Sequence, residues 1–182
     1  MAASIRDVKT YSPDSDDLFF FDNNIWMYLY AFIGDYNSYK QKLYSGLLKR
    51  IRDRGCTIYT SSMIISEFTN RCFRMDFDLW RAGDTELQYK RDYVGTSRYK
   101  ETAEEIRDAT DRILSIADPI SDEFESIELD HVFERTTEID FNDSYYIELA
   151  TEQDLVIVTD DQDFVKFDHH DCKVVTFINP SF

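Results

Sequence analysis

Glycine and proline are scarce in this chain, 5 and 3 among 182 residues, and the glycines never gather into a loop. Without a Gly-rich phosphate loop, nucleotide-triphosphate chemistry is disfavoured. No serine stands in a G-x-S-x-G setting, which removes the hydrolase elbow as well. The 3 cysteines, Cys56, Cys72 and Cys172, are odd in number and far apart. They form no CxxC or Cys/His pattern, so they read as reduced thiols rather than a structural zinc site. Long apolar runs are missing too. The stretch from Leu18 to Ile33 is broken by Asp22, Asn23 and Asn24, which a bilayer span does not tolerate, and the first residues lack the apolar core of a secretion signal. The sequence therefore predicts a cytoplasmic protein with no membrane partner.

Positive charge is also in short supply, with 20 Lys and Arg against 36 Asp and Glu and a formal net charge of −16. Such a balance opposes any nucleic-acid substrate, because phosphate backbones reward positive surfaces. Two features offset it. Clustered carboxylates are neutralised by divalent ions, and a bound cation becomes the dominant local charge. The basic residues are also bunched: Lys40, Lys42, Lys49, Arg50, Arg52 and Arg54 in one stretch, Arg71 and Arg74 in a second, Lys90, Arg91, Arg98 and Lys100 in a third.

What remains is a folded composition, 43% hydrophobic and 15% aromatic, of a length that suits one domain over residues 1–182. Four short apolar runs read as buried strands: Leu18–Asp22, Cys56–Thr60, Leu155–Thr159 and Lys173–Ile178. Continuous Val, Ile and Phe of this kind is what a parallel sheet covered on both faces requires, with helices as its crossovers. Between the first two runs, Tyr39, Leu43, Leu47 or Leu48, and Ile51 mark an amphipathic helix that Gly55 stops. Ser61 or Ser62 caps the next helix, which carries Ile64, Ile65, Phe68, Cys72 and Met75 inward and Glu67 one turn in. The polar segment 76–131 reads as a helical insertion, its main helix ending at Asp118-Pro119. Asn142 or Asp140 then starts a helix leading into the third strand. The expected fold is an α/β three-layer α/β/α sandwich with a central, mostly parallel sheet plus that insertion.

Ligands of open parallel sheets bind beyond the carboxyl ends of the strands. Asp22 ends the first strand, Asp161 and Asp163 follow the third, Asp143 lies in the first turn of the helix before it, and Glu67 follows the second. Acids converging from four segments make chemical sense only with cations, since like charges a few ångströms apart do not all stay ionised unaided. Magnesium prefers oxygen ligands and keeps several waters, so it suits such a site and allows hydrolysis without histidine or cysteine. Structural roles compete for each residue. Asp143 could be a helix cap, Asp161 or Asp163 could cap the turn over 162–167, and Glu67 could pair with Arg71. Asp22 has the weakest such alternative, because an ionised acid directly after LFFF is costly without a partner. His131, His169 and His170 read as surface or structural imidazoles, and Tyr11 and Tyr36 as packing groups.

Across nearly its whole length the sequence resembles the PIN-domain family, which includes the VapC-type toxins of bacterial toxin–antitoxin pairs. FFFDNNIW is similar to that family's strand ending in an aspartate with a small polar residue two positions on, here Asp22 and Asn24. TIYTSSMIISEF is similar to its strand, serine turn and helix glutamate, here Glu67. NDSYYIELATEQDLVIVTDDQDF carries the most specific similarity, in which Asp143, Ala150, Thr159, Asp161, Asp163 and Phe164 fill the family's places. The resemblance implies metal-dependent endonucleolytic cleavage of RNA by water, with Mg2+ or Mn2+ held by Asp22, Glu67, Asp143, Asp161 and Asp163, and with Asn24 and Thr159 in support. It also implies a protein antitoxin and a homodimer as partners. Two alternatives come from other classes: an inactive PIN-like scaffold that docks proteins on its acidic surface, and a phosphatase forming an aspartyl-phosphate on Asp22.

Overall fold

A computed structural model describes residues 4–34, 37–166 and 172–177. Tyr36, Ile178, His169 and His170 lie outside the described residues. Six strands form one sheet: β1 (Ser4–Asp7), β2 (Leu18–Phe21), β3 (Thr57–Thr60), β4 (Asp118–Pro119), β5 (Leu155–Val158) and β6 (Lys173–Thr176). Their order is β1-β6-β5-β2-β3-β4, and every pairing is parallel. The apolar runs became the middle of the sheet, with all of β5 and three residues each of β2 and β6 buried. The two edges were not foreseen. β1 is polar and half-exposed, and β4 is two exposed residues whose proline lacks an N–H donor, as an edge strand tolerates.

The helices are α1 (Asn23–Tyr30), α2 (Ser38–Arg54), α3 (Ser62–Trp80), α4 (Ser97–Leu114), α5 (Leu129–Arg135), α6 (Phe141–Glu152) and α7 (Asp163–Lys166), with a single π-helical turn at Tyr89–Tyr93. Local chemistry sets their ends. The Asn37 side chain accepts from the N–H groups of Tyr39 and Lys40 at 3.0 and 3.2 Å to start α2, and Gly55 ends it in the left-handed region at φ 74°. Ser61, one of the two expected caps, accepts from Ile64 at the head of α3. That helix continues past Met75 to Trp80. Segment 76–131 accordingly holds the end of α3, the π turn, α4, the edge strand β4 and the start of α5.

Crossovers from β2 through β3 to β4 run one way along the sheet, and those from β4 through β5 to β6 run back. Right-handed connections then put α1 to α4 on one face and α5 and α6 on the other. The packing agrees: α1 lies against α2, α3 and α4, while α5 lies against α6. The direction reverses between β2 and β5, which are hydrogen-bonded neighbours, and a crevice opens there beyond their carboxyl ends.

Candidate active site

Each arm of this crevice is fixed by the element that carries it. Asp22 follows β2 directly and begins α1, its N–H donating to the Val158 carbonyl of β5 at 3.0 Å. Thr159 and Asp161 follow β5, and the wholly buried Thr159 hydroxyl donates to Asp22 Oδ2 at 2.7 Å. The Asn24 amide donates to the same oxygen at 2.5 Å and to Thr159 Oγ1 at 3.1 Å, while its carbonyl accepts from the Asp160 N–H. Thr159 Oγ1 also accepts from the Asp161 N–H at 3.0 Å. One hydroxyl thus ties the ends of two strands 137 residues apart.

Glu67 sits one turn into α3, and its Oε1 accepts from the Tyr146 hydroxyl at 3.0 Å and from the Asn142 amide, both on α6. Oε2 has no protein donor among the described residues. The cap of α6 is Asp140, whose side chain accepts from the Asp143 N–H at 3.0 Å. Asp143 is therefore not the cap, and its 9% exposed carboxylate receives no hydrogen bond among the described residues. Asp161 Oδ1 accepts from the Asp163 N–H at 2.9 Å at the start of α7.

Asp22, Glu67, Asp143 and Asp161 line one open pocket of about 380 Å³, together with Asn23, Asn24, Asn70, Arg71, Asp140 and Asn142. Asp163 begins α7 and is not among the lining residues, and Thr159 supports the pocket from beneath. Nothing in the sequence patterns exposed the roles of Asn142 and Tyr146, which depend on how α3 meets α6. The signal for Asp140 was present, as one of two candidate helix starts.

Proximity leaves an electrostatic trace. Burial pushes the Asp143 carboxyl up to about 9, reinforced by the negative charges of Asp22, Asp140, Asp161 and Glu67. Burial likewise lifts Asp22 to about 7 against the opposing Thr159 bond, with Glu67 and Asp161 adding to the rise. Glu67 is also raised, first by burial, although the bonds from Tyr146 and Asn142 oppose it. The donor set is hard oxygen, and negative charge there is under-compensated by protein cations, which is the chemistry of a divalent-cation site. Among the described residues no three acidic, His or Cys side chains form a ready-made metal cage. A magnesium-type ion does not require one, since it usually takes one or two carboxylates and fills its octahedron with water.

Other polar residues near these elements play structural parts. Asp160 accepts from Tyr28, Lys40 and Tyr44 at 2.7, 2.5 and 3.1 Å, fastening the end of β5 to α1 and α2. His131 meets Glu148, which also holds Arg135, at the junction of α5 and α6. Cys56 and Cys72 are free thiols, and among the described residues no helix is long and apolar enough to cross a membrane.

A parallel α/β sheet with an acid-lined pocket at its switch point defines the class of molecule. The sequence matches the PIN domain over residues 19–170, and the chain belongs to the PIN-domain family, a family of nucleases. Among solved structures it is similar to VapBC2 from Rickettsia felis bound to a DNA fragment from their promoter. Identity there is 15% and the TM-score 0.55, over 88% of this chain and 99% of that one, which shows a shared fold. PAE2754 from Pyrobaculum aerophilum aligns at 14% identity and a TM-score of 0.46, over 93% of this chain and 90% of that one. No curated protein matches the chain by sequence.

Proposed function

We propose that this PIN-domain protein is a metal-dependent endoribonuclease and the toxin of a toxin–antitoxin pair, with residues 1–182 forming one domain into which 76–131 is inserted. The observation that carries the reading is the meeting of Asp22, Glu67, Asp143 and Asp161, from four segments, in one pocket at the sheet's switch point. Those four, with Asp163 two residues past Asp161 at the start of α7, would hold Mg2+ or Mn2+, which supplies polarisation of a phosphodiester and an acidified water.

The protein's own contribution is positioning. Thr159 and Asn24 hold one oxygen of Asp22, and Asn142 and Tyr146 hold one oxygen of Glu67, so two carboxylates enter the pocket already oriented. Asp143, with no donor among the described residues, supplies a carboxylate whose charge an added cation or proton stabilises. A protein antitoxin placing a basic side chain among these acids would satisfy the same charge, and pairing of two copies of the chain completes the proposal. Family membership and likeness of fold to one half of a VapBC assembly support the toxin role.

Incubating RNA with the wild-type protein in magnesium or manganese should give fragments bearing 5′-phosphates, and Asp143→Asn should give none. Equal cleavage by both proteins would remove the site. A charge of −16 favours one competing reading, an inactive acidic module that docks proteins. Intact RNA at every metal concentration would select that reading.

A further inference from the structure

We infer that Arg71 and Arg74 form a phosphate track that guides a nucleic-acid strand along α3 into the acidic pocket. This deepens the nuclease reading and rests on it. A chain of charge −16 repels a polyanion over most of its surface, so the few cations left unpaired beside the pocket decide where a strand can approach.

The three basic stretches differ in how they are used. In the first, Lys40 is held by Asp160, Lys49 by Asp53, and Arg50 donates to the Val8 carbonyl at 2.7 Å. In the third, Arg91 pairs with Asp92 at 2.7 Å and Arg98 clamps Asp76 at 3.0 Å. In the second, both side chains are exposed with neither an ion pair nor a hydrogen bond among the described residues; Lys42, Arg52, Arg54, Lys90 and Lys100 share that state but line no part of the acidic pocket. Arg71 lines the pocket beside Asn70, and Arg74 lies one turn beyond.

Glu67, Arg71 and Arg74 stand at i, i+4 and i+7, which aligns them as one stripe along α3. The two arginines are about 4.5 Å apart along the axis, a step suited to adjacent phosphates of one strand. The Arg74 guanidinium lies 4.1 Å over the Tyr89 ring, so its planar fork is held in place before a phosphate arrives. Contacts of this kind hold the backbone and carry no sequence information.

The test uses a fluorescein-labelled single-stranded RNA of about twelve nucleotides, and a DNA of the same sequence. Anisotropy is followed across sodium chloride from about 0.05 to 0.3 M, in an Asp143→Asn background so that the RNA stays whole. Arg71→Ala and Arg74→Ala should each weaken binding by roughly three- to ten-fold and flatten the log–log salt slope by about 0.7, the release expected per single-strand phosphate contact. Arg71→Lys and Arg74→Lys should keep the slope, and Arg91→Ala should leave binding unchanged. With Asp143 restored, the two alanine variants should raise KM while kcat stays within about two-fold. Unchanged slopes in a protein that binds and cleaves RNA overturn the track and leave the nuclease reading standing. Flattened slopes in a protein that never cleaves overturn the nuclease reading and keep the track. A slope change confined to RNA, or lysine variants as weak as alanine, overturns recognition of phosphate charge.

Discussion

The Thr159 hydroxyl donates to Asp22 and accepts from both the Asn24 amide and the Asp161 N–H, so one side chain sets the relation of two pocket acids. Thr159→Val keeps the shape and the β-branched rotamer but leaves those groups unanswered. Magnesium affinity should fall by about 10- to 100-fold, the usual effect of losing an outer partner of a ligand. Isothermal titration would measure it, and an unchanged affinity would mean that Asp22 orients itself. A second buried acid shows the opposite electrostatics. Asp76 is fully buried on α3, where burial alone would raise its pKa, yet bonds from Arg98, Tyr93 and Thr102 outweigh burial and hold it below the ordinary range. A depressed folded-state pKa means that its contribution is complete above the unfolded value near 3.8 and disappears as pH falls through the lower folded value. Asp76→Ala leaves the buried Tyr93 hydroxyl only a long 3.5 Å contact with Thr102, itself bonded to the Arg98 carbonyl, and deprives the Arg98 guanidinium of its partner, so urea titration at neutral pH should show a loss of about 2–3 kcal/mol. The difference from wild type should shrink in acid below pH 3.8.

Helix ends carry their own forecasts. Gly55 ends α2 at φ 74°, a conformation that costs an L side chain about 1–2 kcal/mol, so Gly55→Ala should reduce the unfolding free energy by that amount and shift the denaturation midpoint down accordingly, although open space surrounds the position. No change in midpoint would mean that α2 can end another way. Element-scale features also decide what was legible beforehand. β2, β5 and β6 were readable because a strand buried on both faces is a run of apolar residues, visible in one dimension, and β3, TIYT, because its residues are all β-branched or aromatic although only Ile58 and Thr60 are buried. β1 and β4 were not, since SIRD and DP satisfy only an edge's hydrogen bonds and bury little. α1 was hidden because its residues continue the apolar stretch of β2 past Asp22. The pocket acids could be placed at strand ends and first turns by position alone. The partnership of Glu67 with Asn142 and Tyr146 could not, because it is made across the carboxyl end of the sheet between helices of opposite faces rather than by any spacing. Asp76 left one overlooked sign: it falls four residues after Cys72, on the face of α3 that points to the core.

For the molecule as a whole, five of the 36 acidic residues share one pocket where a cation can use them. A cation that binds only the native pocket stabilises the protein by about 2.7 kcal/mol when free metal reaches one hundred times its Kd. Melting temperature should therefore climb with the logarithm of free magnesium or manganese, and Asp22→Asn should blunt the rise. Equal rises in both proteins would place the ion elsewhere. Sodium chloride at matched ionic strength should give a smaller, unsaturable gain from screening of self-repulsion.

The bond between Thr159 and Asp22 joins residues 137 apart in sequence, and the sheet places them on neighbouring strands. During synthesis the amino-terminal half of the pocket has nothing to pair with until β5 leaves the ribosome. A growing polypeptide therefore carries no assembled cleft until β5 and Thr159 have emerged to meet β2, so the order of synthesis itself delays the pocket.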